Sequence, residues 1–228
     1  MNIVNIIFNP NSVYDRIGSA PKWKCDYIVL SVIFICITYF SLPIQEQLSN
    51  NLNAFSNLSA SQVKLIKSTA RTMSYIGLVM EPIKFIIKIS ILSFIIYIGV
   101  SFCNGVKSYI SIFSLLISAS IITALSQLVN LTIVYIRGVE HITNWNDANL
   151  IALNTLFDYD KINLFLYSFL GGINVFEMWY MLILIFGIKK VCKITMKNSI
   201  AIIIIMWLIY NIFIAQMTIM SLSVSSIP

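Results

Sequence analysis

The chain has 228 residues, 58% hydrophobic and only 11% charged, with a formal charge of +6 and a mean hydropathy of +0.87. Soluble domains carry about 25% charged residues, so this composition excludes a water-soluble globular protein. The basic excess does not mark a nucleic-acid binder, because the lysines gather at one edge of long apolar runs.

A helix needs about 20 apolar residues to cross a bilayer. Such runs place spans at about 27–44, 82–103, 109–136, 162–188 and 198–219. The stretch IAIIIIMWLIYNIFIA at 200–215 is apolar on every face, unlike the alternating strands of a barrel. The expected fold is therefore all-α: one polytopic membrane domain over 1–228, a bundle of five transmembrane helices. No segment between the runs is long enough for a soluble domain.

Residues 1–26 read as a cytoplasmic N-terminal segment. MNIVNIIFNPN lacks a basic start, so no secretory signal is expected and the first span stays as an anchor. Ser12 and Asp15 have capping-box spacing, Gly18 offers a stop, and Pro21 prevents continuation. This predicts a short helix lying at the membrane, with Ile3, Ile6, Ile7 and Phe8 as apolar anchors and Trp23 and Tyr27 at headgroup level. After the first span, Ser59 and Gln62 form another capping box. Val63, Ile66, Ala70 and Met73 oppose Lys64, Lys67 and Arg71, which predicts an amphipathic helix on the outer surface.

In the second span Pro82 suits a first helical turn, with Glu81 near its positive end. Lys84 and Lys88 share a face and can snorkel outward; a cationic patch lining a polar cavity is the alternative. The third span carries Ser111, Ser114, Ser118, Ala119, Thr123, Gln127 and Asn130. Such residues suit close helix packing and interhelical hydrogen bonds, or else a hydrophilic pathway. His141 beside Glu140 follows in a surface loop, without the further ligands a metal would need.

The fourth span raises the sharpest question. Ser168, Gly171, Asn174 and Glu177 recur every three residues as a stripe of small and polar groups. A charge at midplane costs about 2.5–3.5 kcal/mol on insertion scales, so Glu177 must face protein, find a partner or carry a proton. Counting about 1.5 Å per residue down straight helices puts Glu177 roughly 13 Å deeper than Lys88, which argues against a direct pair; the mismatch shrinks if the second helix starts near Met73 and kinks through Pro82. A structural hydrogen bond is the favoured account of Glu177, and a proton relay the alternative.

Arg16, Lys22, Lys24, Lys107, Lys189, Lys190, Lys193 and Lys197 share one side, whereas the other carries most of the acidic residues. By the positive-inside rule the N-terminus is cytoplasmic and the C-terminus extracytoplasmic. The connection KKVCKITMK at 189–197 sets orientation, or also holds anionic headgroups. Cys25, Cys36, Cys103 and Cys192 show no pairing pattern and no CxxC occurs, so no metal, redox site or cofactor is expected. Asn57-Leu-Ser is a formal glycosylation acceptor.

Two stretches resemble a known family. Before the first span stand Phe8-Asn9-Pro10, Ile17 and Pro21-Lys22-Trp23. In the fourth span stands Ile173-Asn174-Val175-Phe176-Glu177-Met178-Trp179, followed by an apolar run and Gly187. With the five-span layout, these resemble the Yip family, named for Ypt/Rab-interacting proteins, particularly its bacterial members. Asn174 stands where the family usually has an acid, and Glu177 where it has a small residue, so the acidic group is displaced by about one helical turn. The resemblance implies a helical bundle with a cytoplasmic N-terminus and no established catalytic activity. Eukaryotic relatives take part in vesicle traffic with Rab-type GTPases, mostly through longer N-terminal regions. Bacterial relatives look like accessory components of membrane assemblies, including ABC-type exporters.

The expected function is accordingly non-enzymatic: an accessory or organising subunit in a bacterial plasma membrane, with the bilayer and other integral membrane proteins as partners. The alternative is a small transporter or channel using Glu177, Asn174, Gln127, Asn130 and Lys88 along a pathway. An intramembrane enzyme is disfavoured, since neither HExxH nor GxSxG occurs.

Overall fold

A computed structural model describes residues 2–50, 60–105, 108–139, 151–158 and 161–225. In chain order its elements are α1 (Asn2–Phe8), α2 (Pro10–Ser19), α3 (Lys24–Asn50), α4 (Ala60–Val79), α5 (Glu81–Phe102) and α6 (Tyr109–Arg137). After α6 come a 3-10 turn (Leu153–Leu156), α7 (Leu164–Leu170), α8 (Val175–Cys192) and α9 (Met196–Ser225). The helices α3, α5, α6 and α9 are each long and apolar enough to cross a membrane, and α7 with α8 passes the same test as a pair bent by 62°, which gives four crossings, or five with the bent pair taken as one span. No strand occurs among the described residues, and the protein is an all-α polytopic membrane bundle.

Side-chain contacts fix the helix directions. Ser118 donates to Asp26 at 3.2 Å and Tyr135 to the Phe40 carbonyl at 2.7 Å, so α3 and α6 run parallel. Gly187 packs on Leu115 and Tyr180 lies beside Ser120, so α8 runs against α6. Ser199 of α9 donates to the Ile185 carbonyl of α8 at 2.5 Å, near the start of one helix and the end of the other. Gly99 meets Ile202, and Lys88 lies over Tyr210, which sets α5 against α9. Thus α3, α6 and α9 rise from one end, here termed basal, and α5 and α8 return to it.

The helix α6 is the axis of the bundle. Residues 111–120 are buried without interruption, because α1, α2, α3, α5 and α8 all pack on this half. Its start is capped by Ser108, whose hydroxyl accepts the Ser111 N–H at 3.3 Å, and Gly138 ends it at φ 93°, a conformation that favours glycine. Lipid tails are as apolar as leucine, so burying leucine here gives little drive for helix to join helix. Small side chains and a few polar ties do that instead. At Gly187 an added Cβ would stand 2.7 Å from both Leu115 methyls.

The N-terminal segment differs from the sequence expectation. It forms two helices, and the cap of the second is Asn9, not Ser12: Asn9 Oδ1 accepts the Ser12 N–H at 3.4 Å, with Pro10 in the first turn. Gly18 lies inside α2, and the helix ends at Ser19. These helices do not simply rest on lipid. Ile3, Ile6, Val13, Tyr14 and Ile17 are buried among α6 and α8, while Phe8 is 81% exposed. Apolar spacing of this kind suits a protein core as well as a bilayer surface. Trp23 packs edge-on to Phe113 at 5.2 Å, and Tyr27 donates to the Pro82 carbonyl at 3.0 Å.

The amphipathic helix expected near 58–73 is present as α4. It ends with Met80 N–H donating to Ile76 O at 3.0 Å, and α5 opens with Lys84 N–H donating to Met80 O at 2.9 Å, so Met80 joins the two helices. Pro82 interrupts nothing, since first-turn N–H groups have no intrahelical acceptor. Val63 and Ala70 are half-buried, whereas Ile66 and Met73 are exposed. Ser59, Asn57, Glu140 and His141 lie outside the described residues.

Candidate intramembrane polar site

The fourth crossing is not the continuous helix over 162–188 that its apolar run predicts. At the end of α7 the Gly171 N–H donates to Tyr167 O at 3.1 Å, Gly172 N–H to Phe169 O at 3.0 Å and Ile173 N–H to Leu170 O at 3.0 Å. The Gly172 and Ile173 bonds span three residues, the tightening that closes a helix. Two neighbours use the space that the glycines leave. Asn154 packs on Gly171, and the Asn211 side-chain oxygen sits where a Cβ on Gly172 would be. The Leu153 N–H donates to Ile173 O at 2.8 Å, binding the 3-10 turn to the break.

The second half-helix then starts with its own cap. Asn174 is extended and its Oδ1 accepts the Glu177 N–H at 2.9 Å, making Asn174 the N-cap and Glu177 the third residue of α8. This is capping-box spacing. It also explains a carboxylate within an apolar run: Glu177 stands in the first turn, where the helix dipole favours negative charge by about 0.3–1 kcal/mol, and by up to about 2 when partly buried. The stripe Ser168–Gly171–Asn174–Glu177 therefore straddles a break and is not one face of a helix.

No direct ion pair joins Glu177 to Lys88 among the described residues, but the two groups lie nearer than axial counting implies, close enough to interact electrostatically. Lys88 Nζ stands 4.9 Å above the Tyr210 ring, a cation–π contact. Tyr180, buried one turn along α8 from Glu177, lies beside Ser120 and Tyr210. The 13 Å mismatch assumed a straight fourth helix, whereas α7 and the glycine break use up residues across a 62° bend.

The other sequence candidates scatter. Lys84 pairs with Glu81 on its own helix, as a first-turn cation can. Gln127 is exposed, and Gln127 and Asn130 lie roughly 10 Å and 15 Å beyond Ser120 along α6, so neither joins Glu177. Trp179 packs on the main core. Of the N-terminal motif, Ile17 is buried, Pro10 opens α2, Trp23 meets Phe113, and Phe8 and Lys22 are exposed beside the half-buried Pro21.

Sequence reasoning passed over a second polar centre. Asp26 is 1% exposed; its two oxygens accept the Asn2 N–H at 3.0 and 3.2 Å, and one also accepts the Ser118 hydroxyl. Arg16 donates to Asn2 Oδ1 at 3.1 Å. Beside this knot, Tyr14 donates to the Ile183 carbonyl at 2.9 Å, and burial pushes its hydroxyl up to about 12. The available signal was Asp26 itself, a lone carboxylate at the mouth of an uncharged run.

Among the described residues no group of His, Cys, Asp and Glu could hold a metal ion. An open apolar groove of about 350 Å³ lies between α3 and α6, lined by Phe40, Leu131, Thr132, Tyr135 and Ile136, away from both polar centres. A family model described as the Yip1 domain matches residues 4–217. No curated protein and no solved structure matches the chain.

Proposed function

The chain belongs to the Yip1 domain family, and from that membership we propose that it is a non-enzymatic accessory or organising subunit of a membrane assembly, an ABC-type exporter or a trafficking complex. One observation carries the reading. The buried polar groups Asp26, Ser118 and Tyr14 are committed to holding helices together, and none forms a nucleophile with a base. What such a bundle offers its surroundings is helix surface, including exposed Ile87, Ile91 and Phe94 on α5 and Ile205, Ile209 and Phe213 on α9. The lysine-rich end faces the cytoplasm of a bacterial plasma membrane in this proposal. GTPase recognition through a free N-terminal arm is not part of it, since α1 and α2 are packed into the bundle. Affinity capture from nanodiscs should recover a defined set of integral membrane partners; a chain that copurifies with nothing would refute the proposal.

A second reading rests on the broken crossing. Discontinuous helices whose ends meet within the membrane are a recurrent way of building transport sites, and here Glu177 opens such a half-helix near Lys88. If the chain is a small transporter, reconstituted protein shows a flux that depends on pH and falls in Glu177→Gln. Equal flux in the two proteins would reject it.

A further inference from the structure

The basal end of the bundle has lost its negative charge to internal contacts. Its described carboxylates are Asp15 and Asp26. Asp15 is paired with Lys190 at 2.8 Å, and Asp26 is buried, accepting from Asn2 and Ser118. Arg16, exposed on α2, donates to the Asn2 side-chain oxygen at 3.1 Å. Among the described residues five lysines remain: Lys22 and Lys24 where α2 leads into α3, and Lys189, Lys193 and Lys197 around the turn from α8 to α9. All five are exposed, and none has an ion pair among the described residues.

A lysine edge of this kind can set orientation without binding anything. Two features take it further. The Lys190–Asp15 tie, reinforced by Lys190 to the Asn11 carbonyl at 3.3 Å, fixes α2 against α8. Both lysine groups are therefore carried on packed elements and not on free tails. The tight turn at Lys193, with φ 53°, holds Lys189, Lys193 and Lys197 within one short connection. A fixed, uncompensated row of ammonium groups at the rim of a membrane bundle is complementary to phosphate-bearing headgroups of the adjoining leaflet. We infer that this edge is a binding surface for anionic phospholipid headgroups, with Lys189, Lys193 and Lys197 as its principal contacts and Lys22 and Lys24 as a flank.

Each lysine near an anionic surface strengthens binding about five-fold. The test uses the full chain in nanodiscs containing phosphatidylcholine with phosphatidylglycerol, and native mass spectrometry counts the lipids that stay bound. Wild type should retain phosphatidylglycerol in preference to phosphatidylcholine. The variant K189Q/K193Q/K197Q should lose that preference by roughly a hundred-fold, and K22Q/K24Q by a smaller factor. K64Q/K67Q, at the other end of the bundle, should keep it. Equal retention of both lipids by wild type, or an unchanged preference in K189Q/K193Q/K197Q, overturns the inference. So does an equal loss in K64Q/K67Q, which would show only a general charge effect. Competition by inorganic phosphate as effective as that by the lipid would overturn it too, assigning the lysines to a free anion.

Discussion

Replacing Asp26 with alanine should release α1 from the bundle without unfolding the rest. The carboxylate serves two buried donors, the Asn2 N–H and the Ser118 hydroxyl. A buried donor left without an acceptor costs about 1–3 kcal/mol, more when the acceptor was charged. Ser118 has a fallback, because its hydroxyl already reaches the Ser114 carbonyl at 3.0 Å, so its loss falls at the low end. Asn2 has no such fallback. The Ser118 share falls between α3 and α6, so the cost concentrated on α1 is that of the Asn2 donor, roughly 1–3 kcal/mol. Hydrogen exchange of the α1 amides, followed by mass spectrometry in nanodiscs, reads this locally. Their protection should fall by roughly 5-fold to 100-fold, while α9 keeps its own. Asp26→Asn, which retains one acceptor oxygen, should fall between. Unchanged α1 protection in Asp26→Ala would refute the reasoning, since α1 would then be held by apolar contacts alone.

Further predictions follow from the other ties. Tyr14→Phe should cost about 1 kcal/mol at neutral pH through the lost bond to Ile183. The native state holds the Tyr14 proton more tightly than the unfolded chain does, so its contribution is whole below pH 10.0 and fades as the pH rises toward about 12. Alkaline unfolding curves should therefore steepen in wild type over that window and flatten in Tyr14→Phe. Gly187→Ala should destabilise by about 1–3 kcal/mol in thermal melts, because its Cβ would press on the fully buried Leu115 and stand 3.0 Å from Tyr14. Asn174→Ala should cost about 0.5–2 kcal/mol and fray the first turn of α8 in exchange experiments, with Asn174→Asp retaining the cap.

The four long apolar helices were legible because length and charge alone define them, and α5 begins at Glu81–Pro82 as the first-turn proline implied. The break in the fourth crossing was hidden by composition. Ile173, Val175 and Phe176 keep the run apolar straight through it, so hydropathy shows no dip. Its signature lay in the letters, a Gly-Gly pair followed by Asn174 and Glu177 at capping-box spacing, but a three-residue recurrence reads equally well as a helical stripe. The closeness of Lys88 and Glu177 was lost with it, since axial counting holds only for unbroken helices. Asp26 escaped for a different reason. A carboxylate next to an apolar run ordinarily faces the headgroups, and only the fold reveals that α1 returns to cover it.

Five alternating crossings require the two ends of the bundle to open on opposite sides of the membrane. Single cysteines in a cysteine-free background at Phe8 and at Met220, both exposed positions, can be labelled in sealed vesicles with an impermeant maleimide. The fold predicts that the two sites react from opposite compartments. Reaction of both from the same compartment would mean four crossings, with α7 and α8 entering and leaving by one face, and would contradict it.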